Sequence, residues 1–213
     1  MVKARTFWLG LFLAVGWVAL SGCELAYFVA GNGAQRAAVT IPRHDRVVVL
    51  VDASAAGELS ISAVSSLITA VNQQLYAFRV SQRLVPAYQI IGLQRRDAMH
   101  YQEMSIGQIV RALHADVAVY LFVDRFEVQT LSTGQVTRGQ AQVLVKVVDR
   151  AGRRLWPVGL RMGAPISADV PANYALTQTP GVVEHRLISQ LARRIGRLFY
   201  AHAQRHQHGA RAP

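Results

Sequence analysis

The sequence predicts a single α/β domain in which a mixed β-sheet is packed by amphipathic helices. Two continuous runs of β-branched and other apolar residues, 46–52 and 117–123, are typical of buried strands. Residues 61–78 carry apolar side chains at helical spacing, and residues 140–148 alternate between apolar and polar side chains. Strands and helices that follow one another in this way indicate an α/β architecture.

The first strand and the first helix are adjacent in the chain. Residues 46–52 read RVVVLVD and predict a strand that is buried on both faces. The helix that follows is expected to begin after Ser60, a residue type that caps helix N-termini, and to lie flat on the sheet. Its apolar face consists of Ile61, Val64, Ile68, Val71, Leu75 and Phe78.

The middle of the chain predicts a short strand, a capped helix and a second buried strand. Residues 88–93 (YQIIGL) form a short apolar run that we interpret as a strand. Ser105 and Gln108 have the spacing of a capping box, so a helix is expected to begin there. The buried strand 117–123 follows that helix.

A hairpin and a terminal helix are expected in the second half. The strand from 117 continues to Val128 and, after a Thr/Gly-rich turn at 131–139, pairs with residues 140–149. Residues 149–152 form a tight turn before a short strand. Residues 157–180, rich in Gly, Pro and Ala, predict a long surface segment, and 183–199 predict an amphipathic helix.

The first 23 residues have the layout of a secretory signal that ends in a lipid-attachment site. Lys3 and Arg5 form a short basic region, and an apolar stretch follows. The end of the stretch matches the bacterial lipobox, in which the cysteine thiol receives a diacylglycerol and becomes the first mature residue. An uncleaved anchor is the alternative, because residues 6–31 contain a single charge and could span a bilayer. The lipobox residues are Leu20, Ser21 and Gly22, and the lipidation site is Cys23.

These features divide the chain into four predicted parts. Residues 1–22 form a lipoprotein signal peptide, 23–45 a lipidated linker, 46–202 the α/β envelope domain and 203–213 a flexible tail. Whether the leader is cleaved or kept, the domain is expected outside the cytoplasm, tethered to a membrane and facing the periplasm. The choice between inner and outer membrane stays open.

The positive charge is spread over the chain. The net charge is +11, yet no run of basic residues is longer than two, and Lys146 is the only lysine after the leader. Because no basic stripe is interleaved with aromatic residues, we expect no nucleic-acid partner. Arginine suits phosphate and carboxylate groups, so an anionic ligand stays open.

The catalytic and metal-binding patterns are incomplete. Asp52 and Ser54 resemble the start of the Asp-x-Ser-x-Ser metal site of von Willebrand A-type domains, but Ala56 replaces the last serine. His202 and His206 are four residues apart but stand in a polar tail without a nearby carboxylate. No Gly-x-Ser-x-Gly motif and no phosphate-binding glycine loop occurs. We therefore expect no enzyme activity, no cofactor and no metal.

Three segments together resemble a group of bacterial envelope proteins. They are 46–52 with its following helix, 105–128 (SIGQIVRALHADVAVYLFVDRFEV) and 140–156 (QAQVLVKVVDRAGRRLW). The second is similar to the helix, Ala-Asp and apolar-strand block of lipoproteins related to CsgG and LpoB, and to the amino-terminal domain of TolB. In the third, the Asp-x-x-Gly turn and the tryptophan of those families correspond to Asp149, Gly152 and Trp156.

The resemblance covers about residues 46–157 and implies a helix-packed sheet used for protein–protein contact. The expected function is that of a lipid-anchored, non-catalytic adaptor or accessory factor for another envelope protein or assembly. The alternative is a transport-accessory or anionic-ligand-binding lipoprotein. The expected partners are the membrane, through the lipid anchor, and an envelope protein; the oligomeric state stays open.

Overall fold

The computed structural model describes residues 34–56, 59–133 and 135–203. The predicted lipobox and Cys23 lie outside these residues, as does most of the predicted tail. The chain divides into two compact units, of which the larger is Ala37–Tyr200. In the other unit, β1 (Ala34–Gln35) pairs antiparallel with β8 (His202–Ala203).

The larger unit is built on a mixed sheet of six strands among the described residues, in the order β3-β2-β4-β5-β6, with β7 also paired to β5. β2 is parallel to β3 and β4, whereas β4 to β7 are joined by antiparallel pairing. This confirms the predicted fold class. The strands are β2 (Arg46–Asp52), β3 (Arg83–Leu84), β4 (Val117–Thr130), β5 (Val136–Asp149), β6 (Arg154–Trp156) and β7 (Ala164–Val170).

Helices cover the centre of this sheet. The consecutive residues Val47, Val48 and Val49 are fully buried, and since successive side chains point to opposite faces, both faces of β2 are covered. No helix within the described ranges has the length and the hydropathy that a bilayer span requires. The helices are α1 (Ile61–Ala77), α2 (Ala87–Arg96), α3 (Ala98–Glu103), α4 (Ile106–Ala112), α5 (Ala172–Ala175) and α6 (Pro180–Gly196).

The predictions for the first helix and for the capping box are confirmed. The Ser60 hydroxyl accepts the Ala63 N–H at 3.1 Å at the start of α1. Ile68, Val71 and Leu75 are buried, as predicted, whereas Ile61 and Phe78 at the two ends are exposed. Phe78 instead stacks on the ring of Tyr200, with 3.8 Å between the centroids. The capping box at the start of α4 is present in full.

The prediction of a strand at 88–93 is wrong, because these residues lie in the helix α2. Ala87 and Ile90 are buried three residues apart, and Leu93 continues the same face as a half-buried side chain. Tyr88 is 71% exposed. Together these side chains show the burial pattern of a helix and not the alternation of a strand. Burial at helical spacing therefore decides between the two structures.

The prediction of a surface segment over 157–180 is wrong for its middle part. β7 pairs with β5 from Ala164 opposite Val145 to Val170 opposite Gly139. Ala168 and Val170 are buried on the side of the core, while Pro165, Ser167 and Asp169 are exposed in alternation. The segment thus supplies a strand that covers one edge of the predicted hairpin.

The described part of the predicted linker also contacts the core. Val39 and Ile41 are buried. The N–H groups of Ala38 and Val39 both donate to the carbonyl oxygen of Leu198, at 2.8 and 3.0 Å. The larger unit therefore includes residues that the sequence predicts as a spacer.

Candidate functional site

A cleft lies where the parallel strands β2 and β4 end. Leu50 is paired with Tyr120 and Asp52 with Phe122, so both strands bring their carboxyl ends to one place. In open sheets with parallel strands, ligands bind outside this end of the strands. The cleft has a volume of about 670 Å³, which is within the usual range for small-molecule sites. Helices α2 to α4 and their connections complete its wall with Gln94, Ala98, Tyr101, Gln102, Met104, Ile106 and Ile109.

Asp52 is the charged group of this cleft. The Tyr120 hydroxyl donates to its Oδ2 at 2.5 Å, and the Ser54 N–H donates to its Oδ1 at 3.0 Å. Burial acts to raise the pKa of Asp52, but the hydrogen bonds from Tyr120 and Ser54 outweigh burial and leave the pKa below its ordinary value. The carboxyl is therefore ionised at neutral pH.

The two tyrosines of the cleft are neutral hydrogen-bonding groups. Burial raises the pKa of Tyr101, and the negative charge of Asp52 adds to this effect, although a hydrogen bond with Gln94 opposes it. The pKa of Tyr120 is raised by burial and by its hydrogen bond to Asp52. On the outer side, the ammonium of Lys146 lies 5.7 Å from the centre of the Tyr120 ring.

Among the residues that the structure describes, those lining the cleft include no histidine, cysteine, lysine or arginine. A hydrolytic site needs a nucleophile, a base and a group that orients the base. The lining instead offers one carboxylate, one serine hydroxyl, two neutral phenols and two amides among apolar side chains. Such a set can bind and orient a ligand.

The structure gives the Asp52–Ser54 pattern a local role. The hydrogen bond from the Ser54 N–H to the Asp52 carboxylate closes a turn at the end of β2. Within the described ranges, no group of three or more His, Cys, Asp or Glu side chains is placed to hold a metal ion. Of the two spaced histidines, His202 lies in β8, in the smaller unit, and His206 lies outside the described residues.

A second candidate is an exposed segment that begins within β6 and continues into the following loop, which we call the apolar loop (residues 155–162). Four of its large apolar side chains are exposed, and Val158 is 93% exposed. The Arg154 guanidinium donates to the carbonyl oxygens of Leu160 and Arg161, at 2.8 and 3.0 Å. The backbone of the loop is therefore held in place, although these apolar side chains are exposed to solvent. The four side chains are Leu155, Val158, Leu160 and Met162.

A basic groove lies at the end of α1. It has a volume of about 510 Å³ and is lined by exposed residues, including Arg43, Arg79 and Gln82. Arg79 follows α1 in a left-handed backbone conformation, with φ of 54°. Two guanidinium groups beside one groove suit an anion such as a phosphate.

The sequence did not indicate Tyr101 or Tyr120 as site residues, and within the surface segment predicted over 157–180 it did not single out the apolar loop. Tyr120 stands in an apolar run that predicts only a buried strand. Its contact with Asp52 depends on the pairing of β2 with β4. The exposed loop had a signal, namely four large apolar residues among Gly, Pro and Arg after the tight turn.

Comparisons with known proteins give structural likenesses alone. No protein-family model and no curated protein sequence matches the chain. The PelC dodecamer from Paraburkholderia phytofirmans is 15% identical, with a TM-score of 0.44 over 77% of this chain and 94% of that chain. Lipoprotein GNA1162 from Neisseria meningitidis is 12% identical, with a TM-score of 0.46 over 71% of this chain and 97% of that one.

Proposed function

We propose that this protein is a lipid-anchored, non-catalytic envelope protein that binds another envelope protein as an adaptor or accessory factor. The leader with its lipobox and Cys23 supports the anchor and the export. The observation that carries the adaptor role is the apolar loop, in which four large apolar side chains are exposed within eight residues. The resemblance of residues 46–157 to CsgG, LpoB and TolB supports a protein-binding role.

The energetics of the loop favour a protein contact. Burying one exposed Val, Leu or Met side chain contributes about 1.5–3 kcal/mol. A few such side chains in the centre of an interface supply most of its binding energy. Because the Arg154 hydrogen bonds already fix the backbone of the loop, little conformational freedom is lost on binding.

Site-specific photo-crosslinking in intact cells tests the adaptor role. A photoreactive amino acid at Val158 should form an adduct with one protein of defined mass. The control position is Met99 in α3, which is 78% exposed and lies outside the apolar loop. The Val158 adduct should be lost when Leu160 and Met162 are both changed to Ser, with the melting temperature unchanged.

Three outcomes would contradict the proposal. Equal adducts from positions 158 and 99 would indicate random encounters. Adducts with lipid alone would indicate that the loop contacts the membrane. Persistence of the adduct in the double Ser variant would exclude a role for these apolar side chains in the contact.

The basic groove favours the second candidate, an anionic-ligand-binding lipoprotein. If this function is right, pyrophosphate should raise the melting temperature of the full chain. The effect should vanish when Arg43 and Arg79 are both changed to Gln, and it should persist in Arg125→Gln, an exposed arginine outside the groove. An unchanged melting temperature in the wild-type protein would exclude this candidate.

A further inference from the structure

The Asp52 carboxylate is an ionised group without a cationic partner. The ion pairs among the described residues join Asp45 to His44, Glu127 to Arg125 and Asp149 to Arg153, and none includes Asp52. The chain carries a net charge of +11, so cationic side chains are abundant. A half-buried carboxylate that faces a cleft without a counter-charge is typical of a binding site.

Asp52 has acceptor capacity left for a ligand. An ionised carboxylate has about four acceptor positions. The hydroxyl of Tyr120 and the N–H of Ser54 occupy two of them, and the Ser54 hydroxyl also acts on the carboxylate, so at least one position is left. These two donors also fix the orientation of the carboxylate, which reduces the ordering that a ligand must impose.

The other walls of the cleft suit the remaining parts of an organic cation. The rings of Tyr101 and Tyr120 can attract a positive charge through their π faces, and Lys146 already lies over the Tyr120 ring from outside the cleft. Met104, Ile106 and Ile109 offer an apolar surface for a hydrocarbon chain or ring. An anion would instead meet the charge of Asp52, the only formally charged group among the described residues of the lining.

From this arrangement we propose that the cleft binds an organic cation, an ammonium or guanidinium group attached to an apolar body. The charged group contacts Asp52 and the tyrosine rings, and the apolar body lies on the side chains from α4 and from the segment before it. This site is separate from the apolar loop and does not depend on the proposed adaptor role.

A matched pair of ligands tests the charge requirement. Phenethylamine, which is protonated at neutral pH, and the neutral 2-phenylethanol have the same size and ring. Isothermal titration of the full chain in neutral detergent, with detergent-only blanks, should show binding of phenethylamine and much weaker binding of 2-phenylethanol. Equal affinities for the two compounds, or no binding of phenethylamine at millimolar concentration, would overturn the proposal.

Variants of the cleft test the residues. Asp52→Asn should weaken phenethylamine binding by about tenfold or more, as expected when a charged hydrogen-bond partner is removed. The control Asp124→Asn, at an exposed carboxylate in β4, should leave binding unchanged. If Asp52→Asn binds as well as the wild type, the carboxylate is not the recognition element.

Three further variants do not depend on the stability of the Asp52 variant. Tyr101→Phe keeps the ring and should keep the affinity, whereas Tyr101→Leu should lower it. Lys146→Gln removes a competing positive charge beside Tyr120 and should raise the affinity. Equal binding by the Phe and Leu variants would exclude a role for the ring, and weaker binding of phenethylamine by Lys146→Gln would show that Lys146 does not compete with the ligand for the Tyr120 ring.

Discussion

Gly139 marks a close approach of β5 to α6, and adding one methyl group there should destabilise the fold. A Cβ at this position would lie 2.6 Å from Cγ1 of Val183 and 3.3 Å from Cδ1 of Leu187. Carbon atoms in contact prefer about 3.5–4.0 Å, so the side chain of Val183 or the helix must shift by about 1 Å. Val183 is fully buried and its χ1 angle is restricted, so rotation gives little relief.

We expect Gly139→Ala to lower the free energy of unfolding by about 1–3 kcal/mol, the usual cost of overpacking. Urea denaturation followed by circular dichroism measures this change. Gly181→Ala is the matched control, because a Cβ at Gly181 in α6 meets no atom within 4 Å. The control should be neutral or stabilising by up to about 1 kcal/mol.

Val183→Ala provides a rescue test. Alone it removes buried methyl groups and should destabilise the domain. Combined with Gly139→Ala it removes the atom that the new Cβ would meet, so the double variant should be more stable than the sum of the single effects predicts. Wild-type stability of Gly139→Ala, or strictly additive effects in the double variant, would refute the described packing of α6 on β5.

Four other changes have expected outcomes. Deletion of residues 163–175 should unfold the domain, seen as loss of a cooperative thermal transition, because it removes β7 and α5. Ser105→Ala should lower the free energy of unfolding in urea by about 1 kcal/mol through loss of the capping box, whereas Ser66→Ala, at an exposed position inside α1, should not. Burial acts to raise the pKa of Asp149, but its hydrogen bonds with Arg153 outweigh burial and lower the pKa from 3.8. This carboxylate therefore stabilises the fold above that pH, and the stabilisation is lost in acid. The urea midpoint of Asp149→Asn should fall less on acidification than that of the wild type. Cys23→Ala should release the protein from membranes or leave an uncut precursor, and an intact mass that still includes residues 1–22 in the wild-type membrane form would contradict lipidation.

Strands and helices with strong periodicity could be predicted from the sequence. Residues 46–52 and 117–123 are continuous runs of β-branched and other apolar residues, and residues 140–149 alternate between apolar and polar side chains. These patterns allow few structures other than strands. The six residues 88–93 contain too few apolar positions to separate a period of two from one of 3.6. Their helical state depends on the burial of Ile90 in the core. The sequence alone does not indicate that burial.

β7 was missed because two of its four core-facing side chains are alanines, which leaves only Ile166 and Val170 as large apolar residues. Residues 164–170 read APISADV, and Ala168 is buried although alanine carries little hydrophobic signal. The stability of this strand comes from its pairing with β5 along seven residue pairs. Since β7 belongs to the sheet, most of the exposed large apolar side chains between residues 155 and 180 lie in the apolar loop.

The cleft could not be predicted because it depends on strand register. Asp52 and Tyr120 are 68 residues apart, and each belongs to a separate apolar run. They meet because Leu50 is paired with Tyr120 in the parallel ladder, and a shift of one residue would turn the Tyr120 side chain to the opposite face of the sheet. The position of the Asp52 carboxylate beside Tyr120 thus depends on the register of β2 and β4. Binding of a ligand to this carboxylate therefore tests that pairing.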